Sequence, residues 1–105
     1  YLFYVNGGIL SKEVKVRTDW ADYVFEKDYS LLPLDQVENF IKEKGHLPNT
    51  PSAKEVQNEG LELGKITTIQ QEKIEDLFLH LIEMEKRLKK LEKENQALKA
   101  QIIKK

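Results

Sequence analysis

The sequence contains no cysteine, one methionine, one tryptophan and two histidines among its 105 residues. Without cysteine the chain has no disulfides, and two separated histidines without thiolates do not provide the ligand set of a structural zinc site. No apolar run approaches the ~20 residues of a membrane-spanning helix, and no signal peptide is visible. We therefore expect no metal, no cofactor and no insertion into a membrane.

An excess of basic charge is also missing. The formal net charge is −1, although 33% of the residues are charged. Nucleic-acid binding needs a basic surface, and no segment of the chain offers one. Residues 67–76, which precede the helical repeat described next, are not basic as a DNA-binding leucine zipper requires. The sequence thus excludes nucleic acid as an expected partner.

The sequence does contain a heptad repeat over residues 74–102. Apolar residues that alternate three and four apart form a narrow stripe along a helix, which predicts a left-handed coiled coil. Because nothing else in the sequence is available to cover this stripe, we expect the chain to associate with copies of itself. The a positions are Ile74, Leu81, Leu88, Asn95 and Ile102, and the d positions are Leu77, Met84, Leu91 and Leu98.

The charges beside the stripe favour a parallel assembly in register. In a parallel coiled coil a g residue faces the e residue five positions on in the next helix, so Arg87 would meet Glu92 and His80 would meet Glu85. Leucine at both a and d leaves the number of strands open, and Asn95 would fix the register. Residues 87–92 look like the short trimerisation motif of coiled coils, so a homotrimer is favoured over a dimer.

The first seventeen residues predict a β-ribbon. Residues 2–5 and 9–16 are typical of strands, and Asn6-Gly7-Gly8 is a hairpin signal. Such a ribbon is barely stable alone, so we expect it to pair with other copies or with an upstream sheet. Since the chain starts at Tyr1 without methionine, we interpret it as the C-terminal part of a longer protein.

Residues 18–65 predict a small head. Trp20, Tyr23, Phe25 and Tyr29 alternate with acidic residues such as Asp22 and form either a packed core or interface, or a surface for a sugar or another partner. Asp35 is the predicted N-cap of a helix that contains Phe40 and ends at Gly45. A second helix starts with Thr50 or Ser52 as its cap and ends at Gly60.

The predicted fold is therefore α+β, with three parts. Residues 1–17 form the β lead-in, residues 18–65 form the head, and residues 66–105 form the coiled-coil stem. Phe78 and Ile82 widen the apolar stripe only in the first half of the stem. We expect the helices of the head to cover this wider face.

Catalytic residues are not evident. Ser11 and Lys12 are neighbours, but adjacent residues of a strand point to opposite faces, so they do not form a dyad. His46 precedes Leu47-Pro48 and is typical of a loop residue that makes hydrogen bonds. No glycine-rich phosphate loop is present. We expect a protein that is not an enzyme.

The residues also carry a resemblance to a known family. The stretch from Val5 to Val16 (VNGGILSKEVKV), the run Asp22-Tyr23-Val24-Phe25, and the segment HLPNTPSA at residues 46–53 resemble the C-terminal domain of Bacteroidetes tail-fibre-like and cell-surface fibre proteins. The similarity extends over essentially the whole chain. The layout is more loosely similar to the endosialidase-type intramolecular chaperones that end phage tail fibres.

The resemblance implies a structural module that trimerises and sets the register of an upstream fibre domain, on a cell surface or a virion tail fibre. The alternative is a tip module that binds a receptor or glycan through the aromatic head. Self-cleaving chaperones carry a Ser-Asp motif followed by a basic stretch, and residues 18–22 (TDWAD) depart from it. Autoproteolysis is therefore not expected.

Overall fold

The structure is a computed structural model that describes residues 1–20 and 23–104. Its elements are a short 3-10 turn at Tyr23–Phe25 and three α-helices, α1 at Leu34–Lys44, α2 at Ala53–Glu59 and α3 at Leu63–Lys104. The molecule measures 78 × 31 × 30 Å, because α3 extends well beyond the rest of the chain. Asp22, which belongs to both the acidic-aromatic segment and the TDWAD stretch of the sequence, lies outside the described residues.

The predicted β-ribbon is wrong, and with it the α+β fold class. Residues 1–20 contain no strand and are all exposed. The hairpin turn expected at Asn6-Gly7 needs positive φ at both central residues, yet among the described residues only Asn49, Gly45 and Gly60 have positive φ. The alternation in the sequence is real, but a ribbon needs a third strand or a packed face. The described part of the single chain supplies no third strand, and the fold there is helical.

Helix α1 begins two residues earlier than the sequence predicts. Pro33 is its N-cap, with φ −59° and ψ 147°, and no side chain caps it. The carbonyl of Pro33 instead accepts hydrogen bonds from the amides of Gln36 and Val37, each at 3.0 Å. Asp35, the predicted cap, lies inside the first turn, where its negative charge still suits the helix dipole. The helix ends as predicted at Gly45, whose φ of 77° is left-handed.

Helix α2 confirms one of the two predicted starts. The hydroxyl of Ser52 accepts from the amide of Glu55, and the Glu55 carboxylate accepts from the amide of Ser52, which completes a capping box. Gly60 ends the helix with φ 75°. Although α2 is short, both of its ends are fixed. The amides of Ser52 and Glu55 are hydrogen-bonded at its start, and a glycine stops it at its end.

Helix α3 has 42 residues, which at 1.5 Å per residue gives a rod of about 63 Å. Residues 16–19 pack on the first turns of α3. A Cβ atom added to Gly64 would lie only 3.1 Å from side-chain atoms of both Val16 and Thr18. The Thr68 hydroxyl donates to the carbonyl of Asp19. Glycine at position 64 thus permits a close approach of the two segments.

Candidate assembly interface

The heptad seam of α3 is open in the single chain. Its eight apolar side chains are between 47% (Ile74) and 71% (Ile102) exposed, and Asn95 is exposed as well. Every residue from Leu81 to Ile103 is exposed. A helix in water normally buries its apolar stripe, so this seam is a surface without an occupant within the described part of the chain.

The aromatic segment of the head, residues 23–29, is attached to the opposite side of α3. The Tyr23 hydroxyl donates to the Glu72 carboxylate, and the Tyr29 hydroxyl donates to Asp76 at 2.7 Å. Glu72 and Asp76 occupy positions f and c of the heptad. Since each residue turns the helix by about 100°, these positions point away from the a/d seam.

The two tyrosines form a small cluster. Their ring centroids are 5.9 Å apart and tilted by 46°, while Val24 between them in sequence is 2% exposed. The hydrogen bond to Glu72, with burial and nearby carboxylates, raises the pKa of Tyr23 from 10 to about 12. Burial, and then the hydrogen bond to Asp76, raises the pKa of Tyr29. Both hydroxyls therefore remain protonated donors across the physiological range.

Sequence reasoning missed Glu75. This side chain is 7% exposed, and one of its carboxylate oxygens has no hydrogen-bond partner among the described residues. Glu75 occupies position b, where a glutamate normally faces solvent. The heptad pattern could not have revealed this burial, because it carries no information on contacts with residues that are distant in sequence.

Helix α1 lies beside the seam on one flank only. A groove of about 270 Å³ is lined by Leu34 and Val37 of α1, by Leu47 of the following loop, and by Leu77 and His80 of α3. A second depression, of about 320 Å³, extends along Pro33 and Leu34 to Met84 and Arg87. His80 and Arg87 are both g positions, so α1 follows the g flank.

The other flank is uncovered at the widened part of the stripe. Phe78 is 57% exposed and Ile82 is 47% exposed. They occupy positions e and b, and neither lines the groove beside α1. The ring of Phe40 instead contacts His46 edge-on, with centroids 5.5 Å apart. The structure thus does not bring Phe40 together with Phe78.

The flanking charges are paired within the helix. Arg87 contacts Glu83 at 2.6 Å, and Lys89 contacts Glu85 at 3.0 Å. Arg87 and Glu92 are not paired with each other in the single chain. Exposed pairs of this kind contribute only about 0.3–0.5 kcal/mol each, so they leave Arg87 able to exchange Glu83 for another carboxylate.

The remaining aromatic side chains of the head face solvent. Trp20 is 51% exposed and Phe25 is 60% exposed, whereas Tyr23 is 42% exposed with its hydroxyl engaged. Two residues considered for chemistry make local contacts only. The Ser11 hydroxyl donates to the carbonyl of Glu13 at 2.9 Å, and His46 Nδ1 donates to the carbonyl of Leu47 at 2.8 Å.

In the described ranges, no group of three or more potential metal-binding side chains is close enough to hold an ion. No helix of the described chain combines the length and the apolar character needed to cross a bilayer. Comparison with known proteins finds no matching family model, no matching curated protein and no matching solved structure.

Proposed function

We propose that this chain is a homotrimerisation and registration module of a fibrous surface or tail-fibre protein. The observation that supports it is the open seam of α3, combined with a head attached to the opposite face of the same helix. A seam left half-exposed by the described part of its own chain is available to other copies. Bringing its eight half-exposed apolar side chains to full burial contributes on the order of 6–12 kcal/mol per chain.

The proposed number of strands rests on residues beside the seam. Leucine at both a and d positions permits more than one oligomer, but residues 87–92 combine Arg87 at g with Glu92 at e. In the assembly Arg87 exchanges or shares its Glu83 contact with Glu92 of the next chain. Asn95 at an a position then fixes the register, since a shifted partner would leave its amide against leucine.

The proposed benefit to the parent protein is kinetic. Intertwined fibres depend on contacts between distant or separate segments, which form slowly because chain-closure entropy opposes them. A helical bundle forms from local contacts and raises the effective concentration of the chains attached to it. The module therefore acts as an intramolecular chaperone that aligns the upstream fibre domain, and the proposed location is extracellular, on a cell surface or a virion tail fibre.

Sedimentation equilibrium of the chain tests the proposal. A mass of three chains is expected across a range of loading concentrations. A mass of two would replace the trimer with a dimeric coiled coil, and a mass of one would overturn the proposal. For the chaperone role, the parent protein with and without this module should be refolded in parallel, and equal yields of trimeric fibre would contradict it.

The exposure of Trp20 and Phe25 favours a second function, binding of a glycan or receptor at the tip of the fibre. In that case Trp20 remains in contact with water after assembly. Iodide quenching of tryptophan fluorescence in the assembled protein measures this directly, because the chain has a single tryptophan. Loss of quenching on assembly would assign Trp20 to packing instead.

A further inference from the structure

We propose that Phe78 of each chain docks into the groove between α1 and α3 of the neighbouring chain. This inference rests on the proposed trimer and adds to it a second contact between copies, outside the heptad seam. The groove is the one of about 270 Å³ described above, lined by Leu34, Val37 and Leu47. The occupant is a second copy of this chain.

The helix geometry brings the two surfaces together. Phe78 is an e residue. The α3 side of the groove extends from the d position through g to c and f, and is formed by Leu77, Lys73, His80, Asp76 and Glu72. In a parallel coiled coil the e flank of one helix faces the g flank of the next. The uncovered flank of one chain therefore faces the flank of its neighbour along which α1 lies.

The axial positions also agree. Chains in register place equal residue numbers at equal heights, and one residue corresponds to about 1.5 Å along the axis. Phe78 of one chain thus lies between the levels of Lys73 and His80 of the next, which are the levels that the groove spans. Ile82 follows one turn later, beside the depression that continues to Met84 and Arg87.

The chemistry of the facing residues fits an apolar contact. The g residue opposite Phe78 is Lys73, whose ammonium is already held by Glu72 at 3.1 Å and by Asp76 at 3.8 Å of its own chain. Lys73 therefore needs no acidic partner at e. The next e positions, Glu85, Glu92 and Lys99, are charged, so the aromatic e residue occurs only where α1 borders the helix.

In a trimer with threefold symmetry, the contacts between Phe78 and the groove form a closed ring. A contact between two different patches forms a closed ring when the rotation between neighbours is a simple fraction of a turn. With three chains each Phe78 fills one groove and each groove receives one Phe78. The contact covers Phe78, which is 57% exposed in the single chain, and also Leu34, which is 47% exposed.

Disulfide trapping tests the docking, because the natural chain has no cysteine. The pair Phe78→Cys with Leu34→Cys should give covalently linked trimers under mild oxidation, seen on a denaturing gel. Each single variant, and the control pair Lys86→Cys with Leu34→Cys, should stay as separate chains, since Lys86 is an outward f residue. If the Leu34 variant does not fold, Val37→Cys takes its place in the pair.

Sedimentation of the same reduced variants separates the two proposals. Trimers that do not cross-link would overturn the docking and leave the trimerisation proposal intact. A disulfide that forms between positions 34 and 78 of the same chain, with no linkage between chains, would also overturn it. Position 78 would then reach the groove of its own chain. A wild-type chain that is not trimeric would instead refute the proposed function on which the docking depends.

Discussion

Replacing Leu81 and Leu88 by aspartate should abolish assembly of this chain while leaving its head folded. Both residues are a positions in consecutive heptads, and each is 56% exposed in the single chain. Neither takes part in the hydrogen bonds from Tyr23 and Tyr29 that attach the head to α3. The substitutions therefore act on the seam alone, and the single chain should retain the contacts that hold the head on α3.

The loss of assembly free energy can be worked out from the exposed fraction of the two leucine side chains. Each leucine gains roughly 1–1.5 kcal/mol when its exposed half is buried, based on about 1.5–3 kcal/mol for full burial. An unpaired carboxylate in the same place costs a further several kcal/mol. Two such changes in each of three chains should raise the concentration needed for assembly by at least a thousandfold, since each 1.4 kcal/mol is about tenfold.

The assay is sedimentation equilibrium with circular dichroism on the same samples. The variant should sediment as a single chain at concentrations where the natural chain is expected to form the proposed trimer, and its distal helix should lose ellipticity. The matched control is Gln96→Asp with Ala97→Asp, which adds the same two carboxylates to positions b and c, on the outward face of the same helix. The control should remain trimeric.

Two results would refute this reasoning. If the Leu81 and Leu88 variant stays trimeric, the heptad seam is not the interface between chains. If the control dissociates to the same degree, added negative charge rather than the loss of apolar contact is responsible. In the parent protein, a folded trimeric fibre with the seam variant in place would likewise contradict the chaperone role.

Three further predictions concern other parts of the molecule. Asn95→Ile should raise the melting temperature and broaden the range of oligomers seen by sedimentation, because the residue that we propose fixes the register is lost while apolar contact is gained. Gly64→Leu should displace the Val16 segment, which makes the backbone nearby accessible to limited proteolysis, whereas Gly64→Ala needs a shift of only a few tenths of an ångström. The neutral Tyr23 hydroxyl stabilises the head below its unfolded pKa of 10, so this contribution should be lost as pH rises through about 12, and alkaline titration of Tyr23→Phe should lack that step.

The sequence predicts those features that depend on nearby residues. The capping box of Ser52 and Glu55, the helix ends at Gly45 and Gly60, and the long C-terminal helix all follow from local signals. The N-cap at Asp35 was wrong because Pro33 could start the helix through its carbonyl alone. Local rules do not weigh two acceptable starts against each other.

Features that depend on distant contacts could not be predicted. The β-ribbon was wrong because alternation gives a strand only when a partner strand is present, and the described residues of the single chain contain none. The side of α3 that holds the head is decided by pairs such as Tyr29 with Asp76, which are 47 positions apart. Neither member of such a pair carries a signal that names the other.

The head packs against only the first half of α3, and this should decide the order in which the turns of a coiled coil wind together. The first half of the helix is held by the head, but residues 88–103 are exposed in the single chain. These far turns are helical in the single chain, but no described residue packs against them, and unpacked helix ends fray. Neighbouring chains should suppress this fraying as they meet, so that winding starts beside the heads and travels outward, with a rate that depends on protein concentration.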